Sequence, residues 1–212
     1  KNNKNLKATH VDFNFELYEL IKNGSLYNFL RKSFIQKMFF VHNRLFIFKE
    51  LRYLKKQKNW KFYEKLLIED NVGDPIRYFL YPKSSGNRIN HVYHLSLLNK
   101  HLNLDLKKIE YVFEFGGGYG CMARIISKIN RHIKYVIYDT KLVNYLQYYY
   151  LKENKLKVGF QKNNSISLIN NFNNIKLRKL KSGSVFIANW SLSEVPINLR
   201  NKFLGIINSH NY

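Results

Sequence analysis

A chain of 212 residues that is 45% hydrophobic and 16% aromatic can bury a sizeable core, as one large domain or as a small domain with a helical extension. One cysteine excludes an internal disulfide, no Cys/His spacing resembles a zinc site, and no signal peptide or bilayer-length apolar run stands out, so a cytoplasmic protein without a membrane span is expected. The net charge of +22 alone would suit nucleic acid or an anionic membrane surface, but lysine far outnumbers arginine, the residue suited to bidentate phosphate and base contacts, and the wealth of Lys, Asn, Ile, Tyr and Phe is what AT-rich codons encode; a dedicated nucleic-acid role is not expected.

Residues 1–70 read as a helical N-terminal region. Phe13, Leu17, Leu20 and Ile21 recur at helical spacing, and Asn23-Gly24-Ser25 closes that helix with Ser25 as the N-cap of the next. Further helices are predicted over Leu26–Phe39, Asn43–Lys56 and Trp60–Glu69. The apolar stretch Phe34–Phe48 is interrupted by Lys37, His42, Asn43 and Arg44, which rules it out as a span, and the basic face of Lys49–Lys58 reads as solvated. Residues 71–108 form a connecting segment: Asn71-Val-Gly-Asp-Pro75 and Pro82-Lys-Ser-Ser-Gly86 are turns, and Asn90–Leu98 is a helix placed to cover a cofactor.

From 109 to 212 the pattern changes to alternating strands and helices. Tyr111-Val-Phe-Glu-Phe115 is a buried strand that runs into Gly116-Gly-Gly-Tyr-Gly120, and a helix follows with Met122, Ile125, Ile126 and Ile129 on one face. Nineteen residues beyond Gly120, the strand Tyr135–Tyr138 ends in Asp139. Strand, glycine turn, helix and acid-tipped strand make the first half of a nucleotide-binding βαβ unit. A dinucleotide fingerprint would need a third glycine at position 121, which is Cys121, a small residue tucked behind the turn. Lys141–Glu153 is the next helix, with Leu142, Leu146 and Tyr149 inward. Leu156–Phe160 is a third strand, the Asn-rich stretch 163–174 a loop, Ser184–Asn189 a fourth strand, and a last helix carries Leu199, Phe203, Ile206 and Ile207. The fold class is α/β, a Rossmann-like sheet preceded by helices. With about four strands legible, the sheet reads as incomplete at its C-terminal side, since a bare edge strand is avoided in soluble proteins.

The pattern Glu114-x-Gly116-x-Gly118-x-Gly120 resembles the first motif of S-adenosylmethionine (SAM)-dependent methyltransferases. Glycine leaves a ligand free to approach the backbone, the helix N-terminus can meet the methionyl carboxylate, and Asp139 is placed to accept from both ribose hydroxyls. Gly117 and Tyr119 belong to the same cofactor turn. The chain also resembles the sugar O-methyltransferases found near bacterial polysaccharide gene clusters, through Val72-Gly-Asp-Pro75, Glu114–Gly120, Tyr135–Asp139, Gln147-Tyr-Tyr-Tyr-Leu151 and Asn189-Trp-Ser-Leu-Ser-Glu194. It departs from that pattern at Asp74, where Asn is expected, and at Thr140-Lys141, where Leu-Pro is expected. The resemblance covers residues 72 to about 200 and implies methyl transfer from SAM to a hydroxyl of a sugar or glycan.

A sugar hydroxyl is a poor nucleophile at neutral pH, so a general base or a divalent metal should assist it; the sequence shows no metal ligands and leaves a metal requirement and the oligomeric state open. Glu194 is the first candidate base, or else a carboxylate at the start of the last helix. His91 and then His94 are the next candidates, each also readable as a packing histidine. Arg88 is placed to hold an acidic sugar or to sit solvated. Asn189, Trp190 and Ser191 would face the acceptor, with Trp190 either stacking on a sugar or plugging the core, and Tyr119 either contacts the sulfonium or packs on the turn. Two rival readings stand beside the glycan enzyme: methylation of RNA or another small molecule, and a non-catalytic basic docking module on the same fold.

Overall fold

A computed structural model of the chain describes residues 3–39, 44–161, 164–171 and 184–208. It divides into two compact units, Lys1–His101 and Leu102–Tyr212, so that residues 71–101 group with the N-terminal helices.

In the first unit, α1 (Asn3–Lys22) buries Phe13, Leu17 and Leu20 along one stripe and ends at Gly24, whose φ of 66° suits glycine. The helix expected over Leu26–Phe39 is divided. Leu26–Arg31 is a 3-10 turn kinked at Asn28, and α2 (Ser33–Phe39) starts only after extended Lys32. The cause is tertiary. The Leu30 N–H donates to the Gly73 carbonyl at 3.0 Å, and a Cβ on Gly73 would stand 2.3 Å from the Phe29 ring. Ser25 precedes the 3-10 turn and makes no side-chain capping bond. Then come α3 (Arg44–Lys55) and α4 (Trp60–Leu67), the latter burying Tyr63, Leu66 and Leu67. The turn expected at Pro82–Gly86 is instead a strand: β1 (Arg77–Tyr78) pairs antiparallel with β2 (Tyr81–Ser85), and Gly86 opens α5 (Gly86–Leu102) four residues earlier than predicted. That region is organised by Glu69, whose carboxylate accepts from the Ser85 N–H and hydroxyl and pairs with Arg88.

The second unit holds a parallel sheet of five strands flanked by helices. In chain order these are β3 (Tyr111–Phe115), α6 (Cys121–Ile129), β4 (Lys134–Tyr138), α7 (Lys141–Glu153), β5 (Val158–Gly159), β6 (Ile166–Ile169), β7 (Ser184–Ile187), α8 (Ser191–Glu194) and α9 (Ile197–Asn208). The strand order is β5-β6-β4-β3-β7, with Tyr111 level with both Lys134 and Ser184. From β3 the chain moves outward to β4 and β6, then returns to the other side of β3 with β7. That reversal makes a Rossmann-like switch point, and it opens at the carboxyl ends of β3 and β7.

The strand β6 lies inside the Asn-rich stretch read as a loop. All four of its residues are buried, so it lacks the alternation that marks a half-exposed strand. The part of that stretch at 172–174, like 163, lies outside the described residues. Helix α7 buries Val143, Leu146, Gln147, Tyr150 and Leu151, with Leu142 and Tyr149 only half-buried, so its inner face is turned about one residue from the predicted one. On the sheet, Phe113, Phe115 and Ile169 meet Phe203 and Ile207 of α9, with the Phe115 and Phe203 ring centroids 4.5 Å apart. Leu199 is half-buried, and the Ile206 side chain lies outside the described ones.

Candidate functional site

The switch point is built from three short segments of the second unit. The first is the turn after β3. Gly116, Gly118 and Gly120 all hold positive φ (71°, 54° and 97°), a conformation that costs an L side chain on the order of 1–2 kcal/mol. Gly116 and its neighbour Gly117 serve the protein's own packing. A Cβ on Gly116 would lie 2.4 Å from the Ser191 Cβ, and one on Gly117 would lie 2.8 Å from a Glu114 carboxylate oxygen and from Ile137. Gly120 is the left-handed N-cap of α6, and the Gly116 N–H continues the parallel ladder to the Tyr138 carbonyl at 2.9 Å.

Glu114 lies beneath that turn. Its carboxylate is buried and accepts from the Tyr135 hydroxyl at 2.9 Å. Burial pushes its pKa up to about 8, opposed by the Tyr135 bond and reinforced by the charge of Asp139. Tyr119 is 2% exposed and meets Tyr150 edge-on at 4.9 Å, so its ring packs into the core. Cys121 is buried at the first position of α6.

The second segment is the tip of β4. Asp139 remains partly accessible, yet crowding by protein raises its pKa to about 7 against three donors that favour the anion. These are the Thr140 N–H at 2.8 Å, the Gln147 amide at 3.0 Å and the Gly117 N–H. A carboxylate offers about four acceptor directions, which leaves about one for a ligand hydroxyl rather than the two expected. Gln147 is the residue that sequence reasoning left without a role. Its amide also donates to the Gly118 carbonyl at 2.8 Å. The available signal was a buried-face amide in an otherwise aromatic run, Tyr145 to Tyr150.

The third segment follows β7. Ser191 donates its hydroxyl to the Phe115 carbonyl, tying α8 to the end of β3. Trp190 has φ 65° and ψ −30°, a strained conformation for a bulky residue, and its carbonyl is held by the Ser193 N–H at 2.8 Å. Its side chain is 59% exposed, which leaves it available for stacking and not as a core plug. The Asn189 amide nitrogen is buried and has no hydrogen-bond partner among the described residues. Glu194 is exposed on α8.

The remaining residues singled out by sequence belong to the first unit. Arg88 is fully buried, with its guanidinium 2.7 Å from both Glu69 and Asp70 and its Nη1 3.0 Å from the Ile68 carbonyl. Its charge is thus spent on two carboxylates of its own unit. On α5, His91 Nδ1 lies 2.8 Å from the Asn87 carbonyl, and burial lowers the His91 pKa to about 4. Burial also lowers the pKa of His94, whose Nδ1 has no hydrogen-bond partner among the described residues. A histidine that stays neutral at pH 7 can accept a proton but holds it weakly.

Among the described residues, no group of three His, Cys, Asp or Glu side chains could hold a metal ion, and no helix is long and apolar enough to cross a membrane. No protein-family model and no curated protein matches the chain.

Proposed function

We propose that the chain is a SAM-dependent O-methyltransferase acting on a hydroxyl of a sugar or glycan. The observation that carries this reading is the junction of the glycine turn with Asp139. Gly116, Gly118 and Gly120 have positive φ, and Asp139 stands at the end of the adjacent strand, joined to that turn through Gln147 and the Gly117 N–H. The methyl-transfer chemistry comes from the sequence resemblance of Glu114–Gly120 and Asn189–Glu194.

The residues present fit SAM. An anion at the tip of β4 suits a ribose hydroxyl, and the glycine-capped start of α6 suits the methionyl carboxylate. When bound, SAM supplies an activated sulfonium methyl group. The protein's own tasks are then to align and to deprotonate. Alignment of acceptor oxygen, methyl carbon and sulfur is the larger effect. Asn189 offers a buried N–H with no partner among the described residues and Trp190 an exposed ring, the two features a sugar needs for one hydrogen bond and one stacking face. The proton of the acceptor hydroxyl would pass to a base, for which Glu194 is the first candidate.

The test is turnover of tritiated SAM against a panel of mono- and oligosaccharides, with Glu194→Gln and Trp190→Ala beside the wild type. Methyl incorporation into a glycan that Trp190→Ala weakens supports the reading. Incorporation into RNA in place of glycans, falling steeply with salt, would replace it.

A further inference from the structure

We propose that Gln147 is a positioning residue of the candidate cofactor site, a single amide that locks the glycine turn and the acidic tip of β4 into one unit facing the ligand. The inference rests on the SAM-site reading for what the unit binds, but not for whether the lock exists.

The geometry is specific. Gln147 lies eight residues beyond Asp139, two turns into α7, whose N-terminus is fixed by Thr140 accepting from the Val143 N–H. Its side chain is fully buried, so water does not compete for its amide. Both amide hydrogens are used, one on the Gly118 carbonyl at 2.8 Å and one on Asp139 Oδ2 at 3.0 Å. The reversed amide would set its oxygen against those two acceptors, so only one orientation is allowed. The Gln147 oxygen, meanwhile, is buried with no hydrogen-bond partner among the described residues. A buried unpaired acceptor is a cost that leucine or methionine would avoid in the same space. What a glutamine adds here is its two donors, and both point at groups expected to meet the cofactor.

Removing the lock affects more than rigidity. Asp139 is faced by Glu114 from β3, Tyr138 from β4, the Gly117 N–H from the turn, the Thr140 N–H and Gln147 from α7. Glu114 and Tyr138 feel the Asp139 charge, while the three donors favour it. Loss of the Gln147 donor therefore moves Asp139 titration to higher pH, and ligand binding that needs the anion moves with it.

The experiment combines two readouts on the full chain. The first is the wild type labelled with 15N at glutamine side chains and 13C at aspartate carboxyls, followed by NMR without ligand. One slowly exchanging glutamine amide is expected, with a shift that follows the titration of Asp139. The second is calorimetric titration of S-adenosylhomocysteine between pH 6 and 9 into wild type, Gln147→Met and Gln147→Glu. Wild-type affinity should rise with pH through the Asp139 titration. Gln147→Met should lose about tenfold at pH 7, the cost of one charge-assisted hydrogen bond, and recover part of it by pH 9. Gln147→Glu should weaken as pH rises, because its own ionisation sets a second anion beside Asp139. Absence of a protected amide in the wild type, or an unchanged Asp139 midpoint in a folded Gln147→Met, overturns the proposal. A protected amide that follows Asp139 in a wild type that ignores S-adenosylhomocysteine keeps the lock and removes the SAM reading instead.

Discussion

Replacing Glu114 with glutamine should make the second unit more stable at pH 8 and less stable at pH 4.5. Glu114 is 3% exposed, and burial holds its pKa at about 8 against an ordinary 4.5. As pH rises past 4.5 the unfolded chain releases this proton, while the folded chain retains it until about pH 8. Because the folded value is raised, stability from this group is fully present below pH 4.5 and falls as pH climbs toward 8. Each pH unit in that window costs about 1.4 kcal/mol, so the loss amounts to about 3 kcal/mol at pH 7 and about 4 kcal/mol at pH 8. Glutamine has the same size, and its carbonyl can still accept from the Tyr135 hydroxyl, so it keeps the contact without the titration. Its amide hydrogens lack a prepared acceptor, which costs about 1–2 kcal/mol at every pH. The net expectation is a variant roughly 1–2 kcal/mol weaker than wild type at pH 4.5 and about 2 kcal/mol stronger at pH 8. Urea melts at both values, followed by the combined fluorescence of Trp60 and Trp190, measure the difference. An unchanged gap between the two proteins across that range would show that Glu114 is ionised in the fold, and would refute the burial argument.

Gly116→Ala should cost about 2–4 kcal/mol and abolish S-adenosylhomocysteine binding, because its Cβ would combine a positive φ with a 2.4 Å approach to Ser191; adding Ser191→Gly should restore part of the stability in urea melts. Arg88→Leu should lose about 3–5 kcal/mol by leaving buried Glu69 and half-buried Asp70 without their cation, and Arg88→Lys should recover little, as one ammonium cannot span both carboxylates and two backbone carbonyls. Glu194→Gln should reduce turnover 100-fold or more with an unchanged melting temperature if Glu194 is the base, since it is exposed and holds no core contact.

The parts of this fold that could be read from sequence are those where burial leaves a periodic signature. Strands β4 and β7 and helices α6 and α9 are of this kind, while β3 is marked by an apolar run that ends in glycines. Helices in the first unit were legible in outline, but their ends are set by distant partners. Gly73 takes the Leu30 N–H and so splits a predicted helix at Lys32, and Glu69 draws Ser85 into a hairpin where Pro82 and Gly86 spell a turn. Strand β6 escaped because a fully buried four-residue run between asparagines has no period to detect. In the candidate site, the glycines and Asp139 announce themselves by type and spacing. Gln147 does not, since its value depends on which face of α7 turns inward, and the aromatic run around it offers several registers. Arg88 shows the converse limit: a lone arginine in sequence gives no hint of the carboxylates at 69 and 70 that enclose it.

Calorimetric titration of SAM and S-adenosylhomocysteine into the 212-residue chain, with Asp139→Ala as control, decides whether the glycine turn and Asp139 bind this cofactor. Micromolar binding is expected that tightens from pH 6 to 8 and disappears in the folded Asp139→Ala variant. Absence of binding by folded wild-type protein at pH 8, or binding that survives Asp139→Ala undiminished, would contradict it.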